Sequence, residues 1–323
     1  MSVVDLVLIG RNEGARLRAA LASAKGQARR LVYVDSGSTD DSVEAARAAG
    51  ADVVTLDMSV PFTAARARNA GAWHLLESPD PPDYLQFIDG DCAIVAGWIA
   101  DGADRLDAAP ELGLVTGWRA ETAPESSVYN HLCHWEWRRP AGEIRACGGD
   151  MLVRAAAFRA IDGFDPTVIA AEDDEFCARL RKAGWRLERL PREMTRHDAA
   201  MTRFGQWWRR AERTGHGFAQ VGHLHPDTFV TERRRVVVYA LALPLAVGAA
   251  LVVAPWVAAV LVLAYPLNWS KSTAGLRRDG IAPDAARRLG LLLTLSKFPN
   301  LIGMARFHLR RMRRAPMRLI EYK

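Results

Sequence analysis

The chain has 323 residues, half of them apolar, and a formal net charge of +6. That length admits a full α/β domain plus an appendage. The four cysteines, Cys92, Cys133, Cys147 and Cys177, lack the close pairs of a zinc site and read as reduced thiols of a cytosolic domain. The charge is unevenly spread: from Arg233 onward 16 Lys/Arg face three acids, a balance of +13, whereas the preceding residues carry 27 basic and 34 acidic side chains, a balance of −7. So basic a tail suits nucleic acid or an anionic membrane surface. The 35 charge-free residues between Arg235 and Lys271 choose the membrane and exclude nucleic acid, since about 20 apolar residues cross a bilayer.

Residues 3–9 are an apolar run with Asp5 inside it and no basic lead-in, a first strand rather than a signal peptide. Residues 15–24 have helical spacing, 31–34 are apolar again, and 40–49 open on an acid and continue as a helix. A strand at 53–56, a helix over 63–76 and a strand at 84–88 continue the series. This alternation predicts an α/β fold, a mainly parallel sheet flanked by helices. Beyond it, helices are expected near 97–108 and 172–183 and strands near 112–116 and 185–190, with no internal repeat.

In such sheets ligands collect beyond the carboxyl ends of the strands. Arg11-Asn12-Glu13 follow the first run, Asp35-Ser36-Gly37-Ser38-Thr39-Asp40 the second, and Asp89-Gly90-Asp91 the run at 84–88. Two apart in an extended chain, Asp89 and Asp91 can aim both carboxylates at one point, which suits a divalent cation carrying a phosphate. Asp-Gly is also common turn chemistry, and Asp35 equally suits a turn or a helix cap.

Together, Arg11-Asn12-Glu13, Val34-Asp35-Ser36-Gly37-Ser38-Thr39-Asp40, Ala67-Arg68-Asn69-Ala70-Gly71, Asp89-Gly90-Asp91 and Glu172-Asp173-Asp174 resemble the ordered signature of family 2 glycosyltransferases with the GT-A fold, over roughly residues 3–220. The resemblance implies inverting transfer of a sugar from a nucleotide-diphosphate donor, with a divalent metal, Mg or Mn, neutralising the departing diphosphate. It implies Asp91 as the direct metal ligand and Asp89 on the ribose or the metal's water shell. Asp35 and Glu13 would meet the nucleobase or ribose, with Arg11 and Asn12 in the same donor loop, and Arg68 the base or diphosphate.

The resemblance puts the base that deprotonates the acceptor on Asp173, with Asp174 as the competing assignment and Glu172 on the acceptor side. Carboxylates in a first helical turn are also favoured by the helix dipole, and repulsion among four of them raises a pKa. His197 would complete the metal shell, although a lone histidine also serves structure. Gly148-Gly149-Asp150 resembles the family's flexible acceptor-side segment, where glycines allow close approach. Trp135, Trp137, Trp207 and Trp208 suit sugar stacking, core packing or interface anchoring. Gln206-Trp207-Trp208-Arg209-Arg210 partly resembles the Gln-x-x-Arg-Trp motif of processive synthases but has Arg210 where that motif has Trp. Transfer of a single sugar is therefore expected, with Arg209 reaching the donor diphosphate. A sugar nucleotidyltransferase is the rival enzyme, but Gly10-Arg11-Asn12-Glu13-Gly14-Ala15-Arg16 lacks its Gly-x-Gly-Thr-Arg arrangement. A non-catalytic membrane-bound sugar-nucleotide scaffold is the other alternative, and both metal-ligand and base candidates speak against it.

These readings divide the chain into a catalytic domain, 1–232, and a membrane-associated segment, 233–323. The uncharged stretch contains Pro244, Pro255 and Pro266, and as one straight helix would run about 50 Å, beyond any bilayer core. A hairpin breaking near Ala254-Pro255 keeps Arg233, Arg234 and Arg235 on the same cytoplasmic side as Lys271, Arg277 and Arg278. A second apolar run, 289–307, is read as interfacial or re-entrant, clamped to anionic lipid by Arg306, Arg310, Arg311, Arg313 and Arg314. The catalytic domain is thus expected on the cytoplasmic face of the inner (plasma) membrane, with a lipid-linked or membrane-proximal glycan acceptor in envelope or exported polysaccharide synthesis.

Overall fold

The structure, a computed structural model, describes residues 2–317. These form two compact units, one of residues up to Ala123 plus Cys133–Ala199, the other of Pro124–Leu132 and the residues from Ala200 on.

The first unit begins with β1 (Val4–Gly10), α1 (Ala15–Ala24), β2 (Leu31–Asp35), α2 (Ser42–Ala48), β3 (Asp52–Thr55), α3 (Ala64–Leu76) and β4 (Tyr84–Asp89), the predicted alternation. It continues with β5 (Cys92–Ile94), α4 (Trp98–Asp107), β6 (Leu112–Glu121), the end of α5 (Val128–Trp137), β7 (Gly142–Glu143), β8 (Met151–Arg154), α6 (Ala155–Ala160), α7 (Glu172–Lys182) and β9 (Arg186–His197). The strand order is β3-β2-β1-β4-β8-β6-β9-β5, with β7 pairing β9. The neighbours β3-β2-β1-β4 are parallel, as expected. Beyond β4 the sheet is mixed, because β8 runs antiparallel to both β4 and β6, and β5 antiparallel to β9.

Alternation along the central strands feeds two cores. Leu6, Leu8 and Ile88 pack with Leu17 and Leu21 of α1 and Trp98 and Leu106 of α4, while Val7, Val34 and Phe87 pack with Leu75 of α3, Phe158 of α6 and Phe176 of α7. Asp5, the acid inside the first strand, is fully buried and held by Arg29 at 2.8 Å and Arg30 at 2.6 Å. Strand β9 extends to His197, seven residues past the expected end, because Arg192, Glu193 and Arg196 hide the apolar pattern while pairing with β6 carries the ladder on.

The second unit is helical: the start of α5, then α8 (Phe204–Leu224), α9 (Val230–Val237), α10 (Leu243–Val253), α11 (Pro255–Val262), α12 (Ala264–Arg278), α13 (Pro283–Leu295) and α14 (Lys297–Met312). A π-helical turn, Val238–Ala242, joins α9 to α10, so Val230–Val253 is one continuous helix. Among the described residues it is the one helix long and apolar enough to cross a membrane. The chain breaks at Ala254, just before Pro255, and the return arm lies alongside: the Tyr265 hydroxyl donates to the Tyr239 carbonyl at 2.8 Å. The apolar run at 289–307 is interrupted by a turn at Ser296, and its buried residues Leu289, Met304 and Phe307 face protein. Helix α14 packs on α8 so closely that a Cβ on Gly303 would collide with the Glu212 carbonyl, and one on Gly215 with the Asn300 backbone. Arg306 and Glu212 form an ion pair across this contact.

Candidate active site

The polar strand ends of the first unit converge. Asp35 closes β2 and is buried; its carboxylate accepts the backbone N–H groups of Gly37 at 3.0 Å and Ser38 at 3.1 Å. It therefore shapes the loop after β2. Asn12, with φ 55, laces the loop after β1 to it: its side-chain oxygen accepts the Thr39 N–H at 2.7 Å, and its own N–H donates to the Ser38 hydroxyl at 3.0 Å. Arg11 is exposed on that loop, and Glu13 pairs with Arg16 at 2.9 Å. Gly90 lets the end of β4 lie against the end of β1, since a Cβ there would come within 3.0 Å of the Ile9 carbonyl.

Two arginines, the buried Arg68 and the part-buried Arg119, organise the acids. Arg68, on α3 and 2% exposed, reaches Asp89 at 2.8 Å and Glu172 at 2.6 Å. Gly149 gives it passage, because any Cβ there would collide with the guanidinium. Arg119, on β6, reaches Asp89 at 3.2 Å and Asp150 at 2.7 Å and lies over the Trp137 ring. Asp150 also accepts the Thr195 hydroxyl at 2.5 Å. Buried charges persist only when paired this way. Asp150 and Glu172, expected on the acceptor side, are thus committed to buried ion pairs beneath Asp89, because a buried guanidinium needs a carboxylate on each flank.

The metal-ligand candidates meet through strand register. Cys92 pairs with His197 across the antiparallel β5–β9 ladder, which puts Asp91 beside a histidine more than a hundred residues away. The Asp91 carboxylate and His197 Nε2 are 3.1 Å apart and both buried. Burial, then the Arg119 charge, pushes the His197 pKa down to about 4, so the imidazole is neutral and offers a lone pair. An oxygen and a neutral nitrogen at that separation suit a divalent cation. The Cys92 sulfur lies in the same group, but burial pushes its pKa well up, and a neutral thiol is a poor ligand for a hard cation. Asp89, the other expected ligand, is held by the two arginines.

Helix α7 opens with Glu172, Asp173, Asp174 and Glu175 in its first turn, directly after Ala171 in the left-handed conformation at φ 59. Burial, then the Glu172 charge, pushes the Asp173 pKa up to about 7, while Arg68 opposes the rise. The Asp174 N–H donates to the Asp173 carboxylate at 3.0 Å. Gly148 adjoins Asp173. Arg68 thus joins the Asp89-Gly90-Asp91 edge to a carboxyl that exchanges its proton near neutral pH.

Trp207 and Arg209 belong to the second unit. The Trp207 ring is buried against Phe204, Tyr129 and Trp208, and Arg209 is exposed on α8. Gln206 caps that helix, accepting the N–H groups of Thr202 and Arg203 at 3.0 Å each. Trp137 lies edge-on to His197, with ring centroids 4.7 Å apart. Sequence reasoning missed Arg119 and Thr195, which lie inside strands; only the polar interruption of an otherwise apolar β6 marked the former.

The family model described as "Glycosyl transferase family 2" matches residues 5–162, and "Glycosyl transferase family group 2" matches 143–279. A pre-mycofactocin glycosyltransferase of Mycobacterium tuberculosis is 28% identical over 240 residues, 69% of this chain and 48% of its own length, so the chain spans about half of that relative. The succinoglycan biosynthesis protein ExoA of Rhizobium meliloti is 27% identical over 243 residues, covering 72% of this chain and 71% of its own length. A mannosyltransferase from Pyrobaculum calidifontis, solved in complex with GDP-Man and Mn2+, superposes with a TM-score of 0.63 at 18% identity, over 94% of this chain and 87% of its own, a likeness of fold. The fold is that of GT-A glycosyltransferases, and the matched segments and relatives support a glycosyltransferase of family 2.

Proposed function

We propose that the chain is an inverting, metal-dependent glycosyltransferase that moves a single sugar from a nucleotide-diphosphate sugar to a lipid-linked or membrane-proximal glycan acceptor, working at the cytoplasmic face of a membrane. The observation that carries this reading is the buried Arg68, which links the strand-end aspartates to the acidic turn of α7. Asp91 and His197 would hold the cation, and the nitrogen donor favours Mn2+ over the harder Mg2+. Bound there, a cation supplies positive charge to the leaving diphosphate as the glycosidic bond breaks.

The chain's own residues supply the rest. The acceptor hydroxyl oxygen attacks the anomeric carbon from the face opposite the diphosphate. Its proton passes to the Asp173 carboxylate, whose pKa near 7 suits a general base at neutral pH. The carbon–oxygen bond to the diphosphate breaks with the electron pair leaving on that oxygen. Arg11, Asn12, Glu13 and Asp35 form the two laced loops that would seat the nucleoside. ExoA, a succinoglycan biosynthesis protein by name, supports an exported polysaccharide as the setting.

Thermal shift with nucleoside diphosphates, with Mn2+ or with chelator, tests the donor half: metal-dependent stabilisation is expected. Identifying the released product tests the chemistry. A nucleoside diphosphate is expected, and pyrophosphate would mean a nucleotidyltransferase instead. Full transfer by Asp91→Ala and Asp173→Asn would end the proposed mechanism.

A further inference from the structure

We propose that the apolar hairpin made by Val230–Val253 and the return arm through α11 and α12 is a re-entrant insertion, which dips into a bilayer from the basic side and comes back without emerging on the far side. The inference rests on the membrane reading above and adds a topology to it.

The tip is the first observation. Leu251, Val252, Val253 and Trp256 are 59%, 85%, 86% and 72% exposed, and nothing polar stands among residues 240–264. A turn that emerged into water would carry Gly, Asn, Asp or Ser chemistry; this one is Val252-Val253-Ala254-Pro255-Trp256.

At Ala254 the tip satisfies its backbone, although Pro255 leaves the Leu251 carbonyl without its helical donor. The Ala254 N–H donates to the Ala250 carbonyl at 2.7 Å, the Ala254 carbonyl accepts the Val257 N–H at 2.8 Å, and Pro255 has no N–H to orphan. Hydrocarbon tolerates a chain reversal only when such groups are satisfied internally.

Length is the third observation. At the other end of the arms stands an aromatic collar: Tyr239 and Tyr265 joined by their hydrogen bond, Phe298 stacked on Tyr265 at 6.1 Å, and the Trp269 indole donating to the Arg287 carbonyl at 2.8 Å. Arg233, Arg234, Arg235, Lys271, Arg277 and Arg278 follow outside it. Aromatic residues backed by cations mark the headgroup level of an anionic leaflet. From Tyr239 to Ala254 is 15 residues and from Tyr265 to Pro255 is 10. At the helical rise these are roughly 22 Å and 15 Å, against a hydrocarbon core of about 30 Å. Measured from the collar the arms end inside the bilayer, although Val230–Val253 taken whole is long enough to cross it.

The test uses the full-length protein reconstituted into vesicles of phosphatidylcholine and phosphatidylglycerol. Cys147, the one part-exposed thiol, is replaced by Ser, and Val253→Cys or Ser59→Cys is added. A membrane-impermeant maleimide is applied outside, or trapped inside. Ser59→Cys is expected to react from the side that carries the first unit, whereas Val253→Cys reacts from neither side, at least roughly ten-fold more slowly, until SDS exposes it. Reaction of Val253→Cys with the reagent on the side opposite Ser59 would establish a spanning hairpin and overturn the inference. Reaction from the same side as Ser59 would show that the hairpin lies in water, overturning it differently. Failure of the protein to float with the vesicles would overturn the membrane reading itself, which the labelling pattern does not address.

Discussion

The raised pKa of Asp173 makes a prediction that needs no substrate. Its folded value is about 7, through burial and then the Glu172 charge, against about 3.9 for an unfolded aspartate. A carboxyl raised in the folded state binds its proton more tightly there than in the unfolded chain. Its contribution to stability is therefore complete below pH ~4, declines across the window and is gone above about pH 7. Three pH units at about 1.4 kcal/mol each set a ceiling on the order of 4 kcal/mol, of which water at the part-exposed carboxyl screens a share. Asp173→Asn cannot titrate. Urea denaturation of wild type and variant from pH 4.5 to 8, in detergent and chelator, isolates the effect as a difference. The subtraction matters because His197 acts in the opposite sense: its pKa is pushed down to about 4, so its contribution is present above ~6.5 and lost as pH falls toward 4. The stability of wild type relative to Asp173→Asn is expected to fall by a few kcal/mol as pH rises through the window. Glu172→Gln is expected to narrow the window, since it removes the neighbouring negative charge. A difference that stays flat with pH would refute the argument for a base poised near neutrality.

Other outcomes follow from the same geometry. Arg68→Met removes the guanidinium that holds the buried Glu172 and leaves Asp89 to Arg119, and a loss of about 3 kcal/mol in urea midpoint analysis is expected. If Asp91 and His197 hold the cation as proposed, His197→Ala removes one direct ligand, and Mn2+ titration by calorimetry should show affinity reduced by at least the roughly 10–100-fold that losing an outer-shell partner costs. Ala171→Gly relieves a left-handed alanine at the entrance to α7 and is expected to stabilise the first unit by about 1 kcal/mol, read as a rise in melting temperature. Gly303→Leu separates α14 from α8 where their backbones touch, and early proteolysis of the helical unit is expected, with the sheet unit protected.

Much of the first unit was legible because parallel strands buried on both faces write themselves as apolar runs. The runs ending at Gly10, Asp35 and Asp89 marked the edge, and the polar clusters after them marked where the proposed site would stand. The far half of the sheet was harder to read. Strand β9 alternates charged residues with buried ones, and its end at His197 depends on partners in β6 and β5 rather than on its own pattern. The apolar hairpin was legible down to its break at Ala254, because charge absence and proline position are local properties. The apolar run at 289–307 was less so: hydropathy alone does not distinguish a face turned to lipid from one turned to α8.

By itself, then, the sequence determined the α/β alternation, the acidic strand ends, the first-turn carboxylates of α7 and the charge-free hairpin. All of these are set by residue type within a few positions. Tertiary structure alone decided which acids are spoken for. Arg68 and Arg119 claim Asp89, Glu172 and Asp150, and leave Asp91 beside His197 and Asp173 near neutrality. The physical reason is that ion pairing and desolvation act through space, at separations of about 3 Å between residues tens to a hundred positions apart, where no local pattern in the chain reports them.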